Sequence, residues 1–316
     1  GGQWLMALGL LMELRQVELK PSAVSYNAAI GACKEGGRWE HAVYLLGELW
    51  AVGIEPTVAS YNVAASACGM CGMWQRAVSL LNELQEVTME PTITTYCTAM
   101  GACAKCGMWV RALWLFSAMR QAQIEPNAIS YSAVISACEK GDQWPRALEL
   151  FAESEHANLE PSAISYNAAI SACAQGGQWE RALHLIRRLW EASSNPDIVS
   201  YNSAIRACEL SGIWQKALEV FGEVRRMHLE PDIIGYSSLM SACSENGQWQ
   251  LTFRLFHDLQ RLHLEPDLII YSTLFSACED TELWREALVA LSGMRSRELL
   301  PNTINYNILM ATCGEA

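Results

Sequence analysis

One spacing constrains this chain more than any other feature. A proline returns every 35 residues, at Pro21, Pro56, Pro91, Pro126, Pro161, Pro196, Pro231, Pro266 and Pro301. Five residues after each comes a tyrosine: Tyr26, Tyr61, Tyr96, Tyr131, Tyr166, Tyr201, Tyr236, Tyr271 and Tyr306. Eighteen residues after the proline comes a tryptophan, from Trp39 to Trp284, and Trp4 fits one step earlier. Nine cysteines, from Cys33 to Cys313, keep the same step, and no insertion breaks it across 316 residues. Such a period means stacked units that share one continuous core, not the two or so independent domains that length alone suggests.

Each unit reads as two helices. In the fifth, Tyr166, Ala169, Ile170 and Cys173 fall at i, i+3, i+4 and i+7, one helical face. Gly176-Gly177 then interrupts. Trp179, Ala182, Leu183, Ile186 and Leu189 form a second stripe, with Glu180, Arg181, Arg187 and Arg188 off it. After every proline stands Ser, Thr, Asn or Asp, the residue types that cap a helix N-terminus. No strand-like alternation competes. The expected fold is all-α, an α-solenoid superhelix of stacked antiparallel helical hairpins, with the repeated Tyr, Trp and Cys in its core.

The lattice gives one array over 1–316. Full repeats are expected at 23–57, 58–92, 93–127, 128–162, 163–197, 198–232, 233–267 and 268–302. Residues 1–22 then supply only a second helix and 303–316 only a first. Beginning and ending inside a unit suggests a piece of a longer protein.

Charge and cysteine usage exclude some classes. The 34 acidic against 22 basic residues leave a net charge of −12. That argues against a highly basic nucleic-acid coat or an anionic-membrane binder, though not against a groove of its own local character. No apolar run nears the roughly 18 residues of a membrane span. The first residues are neither a secretory signal nor a transit peptide. The periodic cysteines sit in apolar stretches, where a small buried hydrophobe explains them better than a disulfide, and a reducing compartment is their natural setting.

The unit beginning Ala163-Ile164-Ser165-Tyr166-Asn167 and closing with Pro196-Asp197 resembles the pentatricopeptide repeat, and the likeness covers the whole chain. Departures are few: Thr252-Phe253 replace Ala-Leu, Asp142 and Glu282 replace the turn glycine, and Pro145 opens a second helix, where proline is tolerated. The resemblance implies sequence-selective binding of single-stranded RNA in a chloroplast or mitochondrion, one base per repeat. The implied roles are RNA processing, stabilisation or recruitment of an editing factor, with protein partners supplying any catalysis. The implied reading residues follow each tyrosine: Asn27, Asn62, Cys97, Ser132, Asn167, Asn202, Ser237 and Ser272. Their partners follow the next proline: Thr57, Thr92, Asn127, Ser162, Asp197, Asp232, Asp267 and Asn302. Base-flanking aliphatics two residues before the tyrosine are Val24, Ile129, Ile164, Val199, Ile234 and Ile269. The family's code applied to these pairs gives 5′-YYNNUUGA-3′.

The residue chemistry is compatible with this. Ile164, Asn167, Ser171 and Ala174 lie near one line of the first helix, about 100° from Tyr166. An amide offers a donor and acceptors, and a serine leaves room for a purine. Asn and Ser are mediocre helix formers, yet they fill every after-tyrosine position except Cys97. Alternatives stand beside each assignment. The proline-side residues are explained as helix caps, and the aliphatics as packing between repeats. Cys68-Gly69-Met70-Cys71 and Cys103-Ala104-Lys105-Cys106 match a CxxC pair, but their first cysteines belong to the core lattice, so no metal is assigned. His228-Leu229-Glu230 and His263-Leu264-Glu265 lack the cysteine partner of a zinc deaminase. No catalytic constellation stands out, so the chain is expected to be neither an enzyme nor a cofactor binder. The runner-up reading is a protein-binding helical-repeat scaffold, which large exposed aromatics in the groove would favour.

Two residues beyond the core cysteine stand Lys105 and Lys140, but elsewhere Glu35, Met70, Gln175, Leu210, Glu245 and Asp280. Phosphate contacts carry much of nucleic-acid affinity, so the expectation is modest affinity with a shallow salt dependence.

Overall fold

A computed structural model of the chain describes residues 3–17, 19–192, 195–279 and 284–314. Asp280 and Glu282, and the side chains of Ile304 and Cys313, lie outside the described residues. Helix is the only regular secondary structure among the described residues. First helices are α2 (Ala23–Glu35), α4 (Val58–Met70), α6 (Ile93–Lys105), α8 (Ala128–Lys140), α10 (Ala163–Gln175), α12 (Ile198–Leu210), α14 (Ile233–Glu245), α16 (Leu268–Glu279) and α18 (Thr303–Gly314). Second helices are α1 (Gln3–Gln16), α3 (Trp39–Ala51), α5 (Trp74–Glu86), α7 (Trp109–Gln121), α9 (Trp144–His156), α11 (Trp179–Glu191), α13 (Trp214–Arg226), α15 (Trp249–Arg261) and α17 (Trp284–Ser296). They divide between two compact units, Gly1–Ala169 and Ile170–Ala316.

Local chemistry starts and stops these helices. The Ser22, Thr57, Asn127, Asp197 and Asp232 side chains each accept the backbone N–H three residues on. Ser162, Asp267 and Asn302 accept the equivalent N–H. Each cap satisfies one of the orphan donors at a helix start. The hairpin turn carries one left-handed residue, Gly37, Gly72, Gly107, Gly177, Gly212 or Gly247, with Asp142 in the same role.

Packing then builds the stack. In the first unit α2, α4, α6 and α8 touch in succession; in the second α12, α14, α16 and α18 do. Small residues permit this approach: a Cβ added at Gly69 would lie 2.8 Å from the Ala102 Cβ. Each second helix lays one stripe on the first-helix layer, such as Ala42, Leu45, Leu46 and Leu49 of α3. Fully burying one such leucine contributes about 2 kcal/mol. Among the described residues α3, α5 and α7 do not reach one another, nor do α13 and α15. Within each unit the first helices are therefore the closely spaced, inner layer.

Tyr26, Tyr61, Tyr96, Tyr131, Tyr166, Tyr201, Tyr236 and Tyr271 are buried in this core, as are the eight lattice cysteines from Cys33 to Cys278. Burial pushes the Cys173 thiol up to about 12 and Cys208 to about 11. The lattice tryptophans differ from expectation: all are half-buried. The reason lies in the turns. Trp4 and Trp109 rest on Gly36 and Gly141 of the following hairpin, where an added Cβ would meet the indole at 2.6 and 2.3 Å. Each ring covers a turn and keeps an edge in water.

Candidate nucleic-acid interface

In each unit the inner layer presents apolar side chains to solvent at one repeat position. Val24, Ile129, Ile164, Val199, Ile234 and Ile269 are 57 to 75% exposed. Six branched aliphatics at one repeat position, all facing water, do not pack between repeats. Isolated exposed hydrophobes are ordinary, but a periodic column of them marks a contact surface.

One helical turn further on stand the after-tyrosine side chains. Asn27, Asn62, Cys97, Asn167, Ser237 and Ser272 are half-buried. Ser132 and Asn202 are nearly sealed, at 8 and 7% exposure. The cause is bonding to the next repeat. The Asn202 amide donates to both carboxylate oxygens of Asp232, at 2.8 and 3.0 Å. The Ser132 and Ser162 hydroxyls lie 2.9 Å apart. Ser272 has a different partner from the expected Asn302: its hydroxyl donates to the Leu268 carbonyl at 2.9 Å and accepts from the Asn305 amide at 2.9 Å. Burial raises the Cys97 thiol to about 11, so it meets a ligand as a neutral group.

Of the proline-side residues, Thr57, Thr92, Asp197 and Asn302 are exposed, and Asn127, Ser162, Asp232 and Asp267 half-buried. Capping and pairing coexist at Asp232, which accepts the Gly235 N–H at 2.9 Å while holding Asn202. Further along the same helix face, Ser171 is half-buried but Ala174 is buried, so the accessible line ends before it.

Among the described after-tyrosine side chains, the buried amide oxygens Asn27 Oδ1, Asn62 Oδ1 and Asn202 Oδ1 have no hydrogen-bond partner. Leaving such an acceptor unmet costs about 1–3 kcal/mol. Periodic unmet acceptors are what a surface that binds donor-bearing groups retains.

Two features escape the spacing argument. The residue before the tyrosine (Ser60, Thr95, Ser130, Ser165, Ser200, Gly235, Ile270 and Asn305) is buried from the second full repeat onward, yet where it is Ser, Thr or Asn it reads as capping chemistry. The other is Arg206, four residues after Asn202. Its column otherwise holds Gly31, Ser66, Gly101, Ser136, Ser171, Ser241, Ser276 and Ala311. Arg206 is exposed, and its ion pair with Glu209 spans 3.9 Å. Comparing the repeats at that position is the signal that finds it.

The CxxC sulfurs have structural places. Cys71 and Cys106 donate to the Gly37 and Gly72 carbonyls of the preceding turns, at 3.5 and 3.3 Å. Ser211 does the same to Gly177 at 2.7 Å. His228 and His263 occupy left-handed turn positions, with φ of 56° each.

Helical hairpins at a constant step, joined by paired polar side chains, define a repeat protein of the α-solenoid class. The chain belongs to the pentatricopeptide-repeat family. Residues 93–266 match the family described as the pentacotripeptide-repeat region of PRORP, more than half of the chain. Residues 9–71 and 254–316 match the pentatricopeptide repeat domain, and 59–87 the single repeat. No curated protein matches the sequence. Among solved structures, the chain is similar to the maize pentatricopeptide repeat protein PPR10 in complex with an 18-nt psaJ RNA element. The TM-score is 0.57 at 20% identity, over 98% of this chain and 56% of that one. This chain thus spans about half the length of PPR10. It is also similar to the repeat domain of Arabidopsis thaliana protein-only RNase P 1 in complex with tRNA, with TM-score 0.51 and 12% identity over 57% of this chain and 95% of that one. Nuclear proteinaceous RNase P 2 of A. thaliana scores 0.51 at 14% identity, over 58% of this chain and 41% of that one. At these identities the likeness establishes the fold.

Proposed function

We propose that the chain binds single-stranded RNA sequence-selectively, one nucleotide per repeat, on the face of its first helices. One observation carries the reading: at the same helix face, exposed aliphatics alternate with polar pairs that join consecutive repeats, as Asn202–Asp232 and Ser132–Ser162 do. An aliphatic wedge packs against base faces without regard to sequence, while a fixed amide or hydroxyl reads a base edge. That PPR10 and the RNase P repeat domain are solved with RNA supports the ligand class. The proposed role is occupancy of a transcript in an organelle, where it shields RNA or positions a processing enzyme. A peptide-binding scaffold has less support. Tyr306, 38% exposed, is the one exposed aromatic on the described first helices.

The experiment is a binding selection from randomised RNA. The expected enrichment is UUGA opposite the Asn167, Asn202, Ser237 and Ser272 repeats. Ser237→Asn is expected to move the third of these from purine to pyrimidine by about tenfold, the worth of one good base contact. No enrichment, or indifference to this substitution, counts against base reading.

A further inference from the structure

We infer that the residue preceding Tyr166, Tyr236 and Tyr306 is a third specificity-determining position, setting which hydrogen-bonding atom the previous repeat's reading side chain has left to offer a base. This rests on the base-reading proposal above and extends it to side chains that touch no base.

Three junctions show the device in three states. At Asn202, the amide nitrogen is committed to Asp232, and Oδ1 is left without a partner. The position facing that oxygen is Gly235, where an added Cβ would stand 2.6 Å from Asn202 Oδ1. Glycine therefore adds no donor to that buried acceptor, which a base donor such as the N3–H of uracil reaches only when the side chain turns outward. At Ser132 the corresponding residue is Ser165, whose hydroxyl lies 2.5 Å from Ser132 Oγ while Ser162 Oγ lies at 2.9 Å. Two hydroxyls compete there for the reading group. At Ser272 the residue is Asn305. Its amide occupies one lone pair of Ser272 Oγ, whose proton is already given to the Leu268 carbonyl. A hydroxyl has one donor and two acceptor sites, so Ser272 retains a single acceptor.

The three residues are small or polar and buried: Gly235 is among the buried residues of α14, and Ser165 and Asn305 are 1 and 0% exposed. Ser165 and Asn305 are buried polar groups that need partners, and a reading side chain supplies one to each. The third residue is thus a positioning residue. It edits the valence of the reading group without reaching the RNA.

The test uses the 316-residue chain in the same randomised-RNA selection, scored nucleotide by nucleotide. Gly235→Ser places a hydroxyl donor on Asn202 Oδ1, and Gly235→Ala pushes that amide aside without closing it chemically. The contact is with the end of a flexible side chain, so both variants are expected to fold with unchanged helical circular dichroism. Gly235→Ser is expected to lower the preference for U at the Asn202 nucleotide about tenfold, with Gly235→Ala intermediate and the other positions unchanged. Asn305→Ala tests the mechanism elsewhere: it is expected to alter selection only at the nucleotide opposite Ser272. A selective parent whose profile survives all three substitutions overturns the third-residue role and leaves base reading intact. Uniform loss at every nucleotide overturns it equally, since a merely structural residue acts that way. A flat profile from the parent itself removes the base-reading proposal and this inference together.

Discussion

A residue held at positive φ is comfortable only without a Cβ, and the turns of this chain test that seven times after the second helices. The left-handed residue there is Gly53, Thr88, Gln123, Asn158, His228, His263 or Glu298. Thr88 is the worst fitted, because its branched Cβ crowds the backbone at φ 62°. Left-handed geometry costs an ordinary residue about 1–2 kcal/mol, while glycine forfeits about 0.5–1 kcal/mol of unfolded-state entropy. Thr88→Gly is accordingly expected to stabilise by about 1 kcal/mol, read as a higher urea midpoint. An unchanged or lower midpoint contradicts the strain argument. Single residues also mark how far sequence reaches. The lattice tyrosines and cysteines are legible as core because they sit on helical stripes. The tryptophans at the same period are not, since contact with Gly36 or Gly141 belongs to the next hairpin.

At the scale of helices, one ladder repeats along the outer side of the tyrosines. In several repeats a residue of the second helix donates to the next tyrosine hydroxyl and, at Arg15, Arg120 and Arg225, to an acid one repeat further on. Arg15 bonds Tyr26 and Glu48, and Arg120 bonds Tyr131 and Glu153. Arg225 bonds Tyr236 at 2.7 Å and Asp258 at 3.3 Å. Trp50 and Trp190 serve Tyr61 and Tyr201. The ladder fails at Tyr271. There Gln260 and Gly293 hold the two places, the buried hydroxyl has no partner, and a hollow of about 290 Å³ opens beside Phe253 and Val289. Gln260→Arg with Gly293→Glu rebuilds the ladder. A Cβ at Gly293 meets only the Tyr271 hydroxyl, at 3.4 Å, and replacing an interior helical glycine gains about 0.5–1 kcal/mol by itself. The double variant is expected to unfold about 1–2 kcal/mol harder in urea, with part of the gain non-additive. Strict additivity of the two single variants contradicts the pairing. Helix existence and order follow from the 35-residue period, but this defect does not. Arg, Trp, Gln and Glu at one repeat position look like surface drift until the tyrosine hydroxyl beside that position is in view. The same blindness hides the Asn305–Ser272 contact, because residues 33 apart become neighbours only through stacking.

For the whole molecule the controlling quantity is charge. A net −12 repels a polyanion at long range, and the chain offers few cations where RNA is proposed to lie. On the described first-helix face Lys105, Lys140 and Arg206 are exposed, while Glu35 and Glu245 at the lysine position are exposed acids. Affinity then leans on base contacts and on the aliphatic column, neither of which releases counterions. For single strands the slope of log K against log salt is about −0.7 per phosphate neutralised. Three cations give a slope of about −2, and a slope beyond about −4, the mark of six phosphates, contradicts the assignment. Arg206→Ser, which restores the residue common in that column, separates position from recognition. It is expected to weaken binding by a similar factor for every RNA sequence and to flatten the slope by about 0.7. A sequence-dependent loss instead puts Arg206 on a base edge, and no loss removes it from the RNA path. Flatness has a functional corollary: an array that gains little from phosphates binds unselected RNA weakly, so on the proposed reading its discrimination comes from the polar junctions between repeats.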